Sequence, residues 1–157
     1  MKNLVIGQSG GPTAVINASL YGAIKAFRES GTDGHVLGMI NGIEGFLADH
    51  VMDLSTDLSD EELELLKLTP AAFLGSCRYK LPADLESEVY PAIFDNFREM
   101  NIGYFLYVGG NDSMDTVDKL SRYAKKVGSD VKFIGIPKTI DNDLVLTDHT
   151  PGFGSAA

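Results

Sequence analysis

Two short polar segments each follow an apolar run in this sequence. The segment GGNDS at residues 109–113 follows residues 104–108, and the segment PKTIDND at residues 137–143 follows residues 133–136. An apolar run that ends in glycine or proline predicts a buried strand that delivers a loop to one edge of a sheet. Ligands bind at that edge in open α/β sheets. The two loops therefore predict a site for phosphate and a metal ion.

The second of these loops contains two closely spaced carboxylates and a lysine. Asp141 and Asp143 flank Asn142, and Lys138 lies three residues before Asp141. Close carboxylates repel each other, so they need a metal, a cation or a proton to accept. Phosphoryl transfer to a hydroxyl requires charge neutralisation, positioning and a proton acceptor, and this segment supplies all three. The alternative is a surface turn rich in Asp and Asn.

The GGNDS loop has the order strand, two glycines, polar cluster and helix start. The glycines would let a phosphate chain approach the backbone, and Asn111 or Asp112 would contact Mg²⁺ or its waters, because Mg²⁺ prefers oxygen ligands. Alternatively, Asp112 or Ser113 simply caps the helix that follows.

Two further loops could bind phosphate. The glycine-rich residues 7–13 lie between a predicted strand and a predicted helix, where backbone N–H groups and the helix dipole favour an anion. This loop matches neither the P-loop nor the dinucleotide pattern, and its glycines could serve only a tight turn. Arg78 follows GSC at residues 75–77, with Lys80 close by. It is either a bidentate phosphate ligand or a surface cation paired with a carboxylate.

Other candidate features carry less weight. Cys77 has no neighbouring His in the sequence to activate it, which favours a small buried residue over a nucleophile. The three histidines have no metal-ligand spacing. The segment GFGSAA at residues 152–157 fits the dinucleotide pattern G-x-G-x-x-A, but it follows Pro151 and not a strand.

Composition limits the classes of function. The chain has 157 residues, enough for one domain with a substantial core, and 44% of them are hydrophobic. The net charge of −9 argues against binding to nucleic acid or to anionic membranes. A single cysteine fits a reducing cytoplasm, and no stretch has the length of a signal peptide or a membrane span.

Strand-like and helix-like segments alternate along the chain. Strands are predicted at residues 4–6, 36–40, 72–74, 104–108 and 131–136, and helices at 14–30, 60–66, 85–100 and 113–127. Pro91 could mark the start of the third helix. The alternation predicts an α/β fold, a doubly wound, mostly parallel sheet with helices on both faces. Residues 1–157 form one domain in this interpretation, and the glycine-rich end at residues 150–157 suggests the amino-terminal part of a longer protein.

Five segments, taken in order, resemble the phosphofructokinase family: GGP at residues 10–12, GSCR at 75–78, GGNDS at 109–113, PKTIDND at 137–143 and TPGF at 150–153. The resemblance covers essentially the whole chain, and the TIDND segment is highly specific. It implies a Rossmann-like, phosphofructokinase-type fold and a cytoplasmic glycolytic kinase that uses Mg²⁺.

The same resemblance implies roles for individual residues. Asp141 would accept the proton of the 1-hydroxyl of fructose 6-phosphate, and Asp143 would support the metal and the transition state. Asn111 would be a metal ligand, at a position where many members have Asp. The residues implied to contact the acceptor are Thr139, Ile140 and Asp141. Those implied to contact the phosphoryl donor are Gly11, Arg78, Gly110, Asp112 and Ser113.

Two departures from the ATP-using members concern the donor. Those enzymes have glycine where this chain has Asp112 and Lys138. A carboxylate at the first position would repel the α-phosphate of ATP, and an ammonium at the second would stabilise a pyrophosphate leaving group. The resemblance therefore implies inorganic pyrophosphate as the donor and a reaction close to reversible.

The family commonly forms homodimers or homotetramers, and members carry a second half with further sugar-phosphate ligands. The resemblance therefore predicts that residues 1–157 alone have little activity. Three alternatives stay open: the same kinase using ATP, a relative of NAD or lipid kinases, which lack the TIDND segment, and a non-catalytic phosphate-binding module.

Overall fold

The computed structural model describes residues 2–156, with side chains through residue 154. Its single sheet has five strands, β1 Asn3–Gln8, β2 Val36–Met39, β3 Val51–Asp53, β4 Ile102–Gly109 and β5 Lys132–Pro137. The strand order is β3-β2-β1-β4-β5. β1, β2, β4 and β5 are parallel, and the short edge strand β3 is antiparallel to β2.

Six helices connect and flank these strands. They are α1 Ile16–Glu29, α2 Gly42–Leu47, α3 Asp60–Leu66, α4 Val89–Glu99, α5 Asn111–Val127 and α6 Phe153–Ala156. α3 begins with a capping box, in which Ser59 and Glu62 satisfy each other's backbone N–H groups. None of the helices in residues 2–156 combines the length and the apolar character needed to cross a membrane.

Successive residues of β1 enter two different hydrophobic cores, because side chains alternate across a strand. Leu4 and Ile6 pack with the apolar faces of α1 and α3. Val5 packs on the opposite side with α2, α4 and α5, where an aromatic group contains Phe94, Phe97, Phe105 and Tyr123. Helices therefore cover both faces, and the predicted doubly wound sheet is confirmed.

The order in which strands are added to the sheet reverses between β1 and β4. The β1–α1–β2 unit extends the sheet to one side, and β4–α5–β5 extends it to the other. The loops that leave β1 and β4 diverge at this point and open a crevice at the carboxyl edge, which is where doubly wound sheets bind ligands.

The predicted strand at residues 72–74 is wrong. Side chains from β1 and α1 bind this segment in place of a neighbouring strand: Phe73 N–H donates to Asn17 Oδ1 and Leu74 N–H to Gln8 Oε1, each at 2.9 Å. An apolar run of three residues does not by itself distinguish a strand from a buried loop.

The third predicted helix starts later than residue 85. α4 begins at Val89, and Pro91 lies in its first turn, where the missing N–H has no intrahelical partner to lose. The sequence interpretation also missed α2 and β3, which are short, and placed no helix at residues 153–156.

Candidate active site

The loops after β1 and β4 enclose a cleft of about 930 Å³ together with residues 76–80. A smaller recess of about 290 Å³ adjoins it. Both cavities share the walls at residues 10–12 and 110–111, and the recess adds Lys138, Thr139, Ile140 and Asp141. The fold thus brings the four predicted loops to one edge of the sheet.

The glycines at the centre of the site leave room for a ligand. A side chain at Gly11 would meet no atom within 4 Å. Gly10 has φ +77°, a conformation that glycine adopts without strain. α5 begins directly after Gly110 and carries no side-chain cap, so the alternative in which Asp112 or Ser113 caps the helix is wrong. The N-terminal turn of a helix without such a cap offers N–H groups to an anion.

Lys138 lines the recess and is only 5% exposed. Its ammonium group donates to the carbonyl of Gly11, and its backbone N–H donates to the carbonyl of Gly109 at 2.8 Å. Burial lowers the pKa of this lysine. A buried cation beside the open space at Gly11 is arranged to attract an anion.

The loop that carries the two carboxylates is held by its own polar residues. Thr139 N–H donates to Pro151 O at 3.0 Å, and Thr150 Oγ1 donates to Thr139 O at 2.8 Å. Asn142, with φ +52°, accepts from the backbone N–H of Thr150 at 2.9 Å. Asn142 therefore has a structural role, and the loop leaves Asp141 and Asp143 exposed to solvent.

Asn111 is bonded to one of these carboxylates. Its Nδ2 donates to Asp143 Oδ2 at 2.8 Å, and this hydrogen bond is the main cause of the lowered pKa of Asp143. Within residues 2–156, no group of three or more acidic, His or Cys side chains forms a ready metal cage. Mg²⁺ commonly uses one or two carboxylates, waters and substrate phosphates, so Asp141 and Asp143 fit it without a cage.

Arg78 lies exposed in the cleft wall and forms no ion pair within the described part of the chain. The alternative of a carboxylate-paired surface cation is therefore wrong for this residue. Its loop is tied to the first glycine loop by two hydrogen bonds, from Ser76 Oγ to Gly10 O at 2.8 Å and from Ser9 Oγ to Cys77 O at 3.2 Å.

Sequence reasoning missed a buried amide pair behind this wall. Gln8 Nε2 donates to Asn17 Oδ1 at 2.9 Å, and Asn17 Nδ2 donates to Thr69 O at 2.9 Å. With the hydrogen bonds to Phe73 and Leu74, this pair anchors the segment that leads to Arg78. The available signal was Asn17 itself, a polar residue in register with Leu20 and the rest of the apolar face of α1.

Sequence reasoning also assigned no partner to Lys80. Its ammonium lies 3.1 Å from Asp112 Oδ1, and both residues line the cleft.

A doubly wound, mostly parallel sheet with a glycine-lined cleft and two carboxylates at its switch point is the architecture of α/β domains that bind ligands at this edge. Residues 3–157 match the family model described as phosphofructokinase, and the chain belongs to this family.

Its relatives include enzymes named for pyrophosphate. The chain is 47% identical over 158 residues to a pyrophosphate–fructose 6-phosphate 1-phosphotransferase from Halomonas elongata, covering 99% of this chain and 37% of that protein. The crystal structure of a pyrophosphate-dependent phosphofructokinase from Nitrosospira multiformis matches with a TM-score of 0.90 and 44% identity, covering 98% of this chain and 38% of that one. An ATP-dependent 6-phosphofructokinase from Staphylococcus aureus strain JH9 is 29% identical over 156 residues, covering 99% of this chain and 45% of that protein. The chain thus spans well under half the length of each of these relatives.

Proposed function

We propose that residues 1–157 are the donor-binding, amino-terminal domain of a longer phosphofructokinase that transfers a phosphoryl group from inorganic pyrophosphate to the 1-hydroxyl of fructose 6-phosphate, forming fructose 1,6-bisphosphate in glycolysis. The observation that carries this proposal is the buried ammonium of Lys138, which contacts Gly11 in the wall shared by the donor cleft and the recess of Asp141. The names of the relatives support both the donor and the acceptor.

The placement of the two cavities supports this reaction. Asp141 accepts the proton of the 1-hydroxyl while that oxygen forms a bond to the terminal phosphorus of pyrophosphate. The bond from this phosphorus to the bridging oxygen breaks, and inorganic phosphate leaves. Lys138 neutralises charge on the donor phosphates, the backbone at Gly11 and Gly110 lets them approach, and Arg78 binds them from the opposite wall.

The metal ion fits the carboxylate pair. Asp141 and Asp143 would hold Mg²⁺, with Asn111 limited to its amide oxygen because its nitrogen is bonded to Asp143. Bound there with the donor, Mg²⁺ supplies neutralisation of phosphate charge. Thr139 and Ile140 position the acceptor hydroxyl at the rim of the recess, and Ser113 lines the donor side.

Asp112 and Lys138 favour pyrophosphate over ATP. The carboxylate of Asp112 lies in the cleft wall beyond the glycines, where it repels a further phosphate. Further sugar-phosphate ligands, and assembly into a cytoplasmic homodimer or homotetramer, are assigned to the longer protein.

Steady-state assays of the full-length protein test this proposal. With Mg²⁺ and fructose 6-phosphate, we expect turnover with pyrophosphate and little or none with ATP. Asp141→Asn should lower kcat by about 10²–10⁴-fold, the usual contribution of a general base. Turnover with ATP alone would favour the ATP-using alternative, and binding of pyrophosphate without turnover would favour the non-catalytic module.

A further inference from the structure

Lys80 and Asp112 form an ion pair that joins two different walls of the donor cleft. Lys80 comes from the loop that carries Arg78, and Asp112 comes from the first turn of α5. Their charged atoms lie 3.1 Å apart although the side chains are 72% and 76% exposed. An exposed pair of this kind contributes little to stability, so its position in the cleft is the feature to explain.

The lining of the two cavities gives the pair a location along the donor. Lys138 and Asp141 line only the recess, Gly11 and Gly110 line both cavities, and Lys80 and Asp112 line only the larger cleft. A donor whose reacting phosphoryl lies next to Asp141 extends across the glycines toward the ion pair. The pair therefore lies where a third phosphate would follow the second.

The charge of Asp112 also requires a partner. An unpaired carboxylate in the cleft would repel every polyphosphate, including the two-phosphate donor of the proposed reaction. Lys80 compensates that charge and holds the carboxylate in place, so the space beyond the second phosphate stays filled without a net repulsion of the first two.

We propose that Lys80 is a specificity-determining residue, whose ion pair with Asp112 lets the cleft exclude a third phosphate while it still binds a donor of two phosphates. This inference rests on the proposed function, and it concerns donor length. Asp112 blocks the third phosphate, and Lys80 acts through Asp112.

The test compares pyrophosphate and inorganic tripolyphosphate as donors in the full-length enzyme. Asp112→Asn removes the carboxylate charge at nearly constant shape and frees the Lys80 ammonium to bind a third phosphate. We expect the ratio of kcat/KM for tripolyphosphate to that for pyrophosphate to rise about tenfold, because a charge-assisted hydrogen bond is gained. Lys80→Met alone leaves Asp112 uncompensated, so the KM for pyrophosphate should rise about threefold or more and the ratio should fall.

The double variant tests whether Lys80 acts through Asp112 or independently of it. Adding Lys80→Met to Asp112→Asn should remove the gained use of tripolyphosphate, since the cation that binds the third phosphate is lost. Asp118→Asn is the matched control: Asp118 is an exposed carboxylate of α5 that pairs with Arg122 and does not line the cleft. It should leave the donor ratio unchanged.

The proposal would be overturned if Lys80→Met raised the KM for pyrophosphate by the same factor in the Asp112→Asn background as in the unsubstituted enzyme. Calorimetric binding of methylenediphosphonate, a pyrophosphate analogue that does not transfer, and of tripolyphosphate, each with Mg²⁺, supplies a readout besides turnover. If the enzyme bound these ligands with coupled Lys80 and Asp112 effects but transferred nothing from pyrophosphate, the proposed reaction would fail and the length inference would stand. If both ligands bound and the two substitutions affected their affinities independently, the inference about Lys80 would fail and the proposed function would be unaffected.

Discussion

At the scale of single residues, burial shifts the pKa of Lys138 and a hydrogen bond shifts the pKa of Asp143. The ammonium of Lys138 is buried against the carbonyl of Gly11, and Asn111 donates a hydrogen bond to Asp143. Burial disfavours the charged form of the lysine, whereas the hydrogen bond favours the charged form of the aspartate. A bound phosphate would therefore favour the charged form of Lys138, and the hydrogen bond from Asn111 already favours the ionised form of Asp143.

The lowered pKa of Lys138 gives a pH prediction. The lysine must be protonated to bind pyrophosphate, so kcat/KM should fall as pH rises through a pKa below the ordinary 10.5. Lys138→Arg stays charged, and its alkaline limb should move to higher pH even if the neutral-pH value drops about tenfold or more. Because pyrophosphate titrates alike with both enzymes, comparing their pH profiles isolates the lysine. Coincident alkaline limbs would refute this role.

A second prediction concerns the pKa of Asp143, measured from its carboxyl carbon by NMR. Asn111→Ala removes the hydrogen bond that lowers this pKa, so the value should rise toward that of an ordinary aspartate. Asn111→Asp should raise it further, because two like charges then face each other. The stability that the lowered pKa supplies is present above the unfolded pKa and is lost as pH falls through the folded value. An unchanged pKa in both variants would contradict the assigned cause.

At the scale of elements, the cleft wall depends on a loop that makes no strand pairing. Asn17 of α1 and Gln8 of β1 accept hydrogen bonds from Phe73 and Leu74, and these contacts place the residues that lead to Arg78. Gly75 turns the chain with φ +74°, and a side chain there would lie 2.2 Å from Asn41 Oδ1. A buried amide network thus replaces a sheet edge as the support for a predicted phosphate ligand.

Asn17→Ala tests this support. It leaves Phe73 N–H and Thr69 O without their partner, so the free energy of unfolding should fall by about 2–3 kcal/mol. Pyrophosphate affinity should fall as well, because the Arg78 loop loses its anchor. Chemical denaturation and calorimetry measure the two effects.

Ser19→Ala is the control for this variant. Ser19 is a half-buried residue of the same helix, and its side chain makes no hydrogen bond within residues 2–156. Its removal should change the free energy of unfolding by no more than about 0.5 kcal/mol. Full stability and affinity in the Asn17 variant would exclude the anchoring role.

At the scale of the whole molecule, the described domain leaves apolar surface exposed over β4 and β5. Tyr104 and Ile134 lie on one face of these strands and are 41% and 53% exposed, and Val145 and Leu146 project from the loop after Asp143. Apolar surface of this kind supports the proposal of a longer protein that covers it. In the proposed function the donor site lies within residues 1–157, and the remaining chain would complete the acceptor site.

The isolated 157-residue chain should therefore bind the donor analogue but turn over substrate slowly. We expect it to bind methylenediphosphonate with Mg²⁺ and to transfer phosphate to fructose 6-phosphate at least about 10³-fold more slowly than the full-length enzyme, because the acceptor is not positioned. Coupled assays and calorimetry on the two proteins measure this. Comparable turnover by both would show that the acceptor site is complete without the remaining chain.

The sequence by itself determined the doubly wound sheet and the four loops, because apolar runs that end in glycine or proline are local signals of strand ends. It also indicated Asp141, Asp143 and Lys138, because two closely spaced carboxylates beside a lysine fit the chemistry of phosphoryl transfer. Only the tertiary structure decided which residues are partners. The pairs Lys80 with Asp112, Asn111 with Asp143 and Gln8 with Asn17 are 32, 32 and 9 residues apart and meet only after folding. The wrong strand prediction at residues 72–74 has the same cause. The side-chain amides that bind this segment come from β1 and α1, so the local sequence of residues 72–74 does not indicate them.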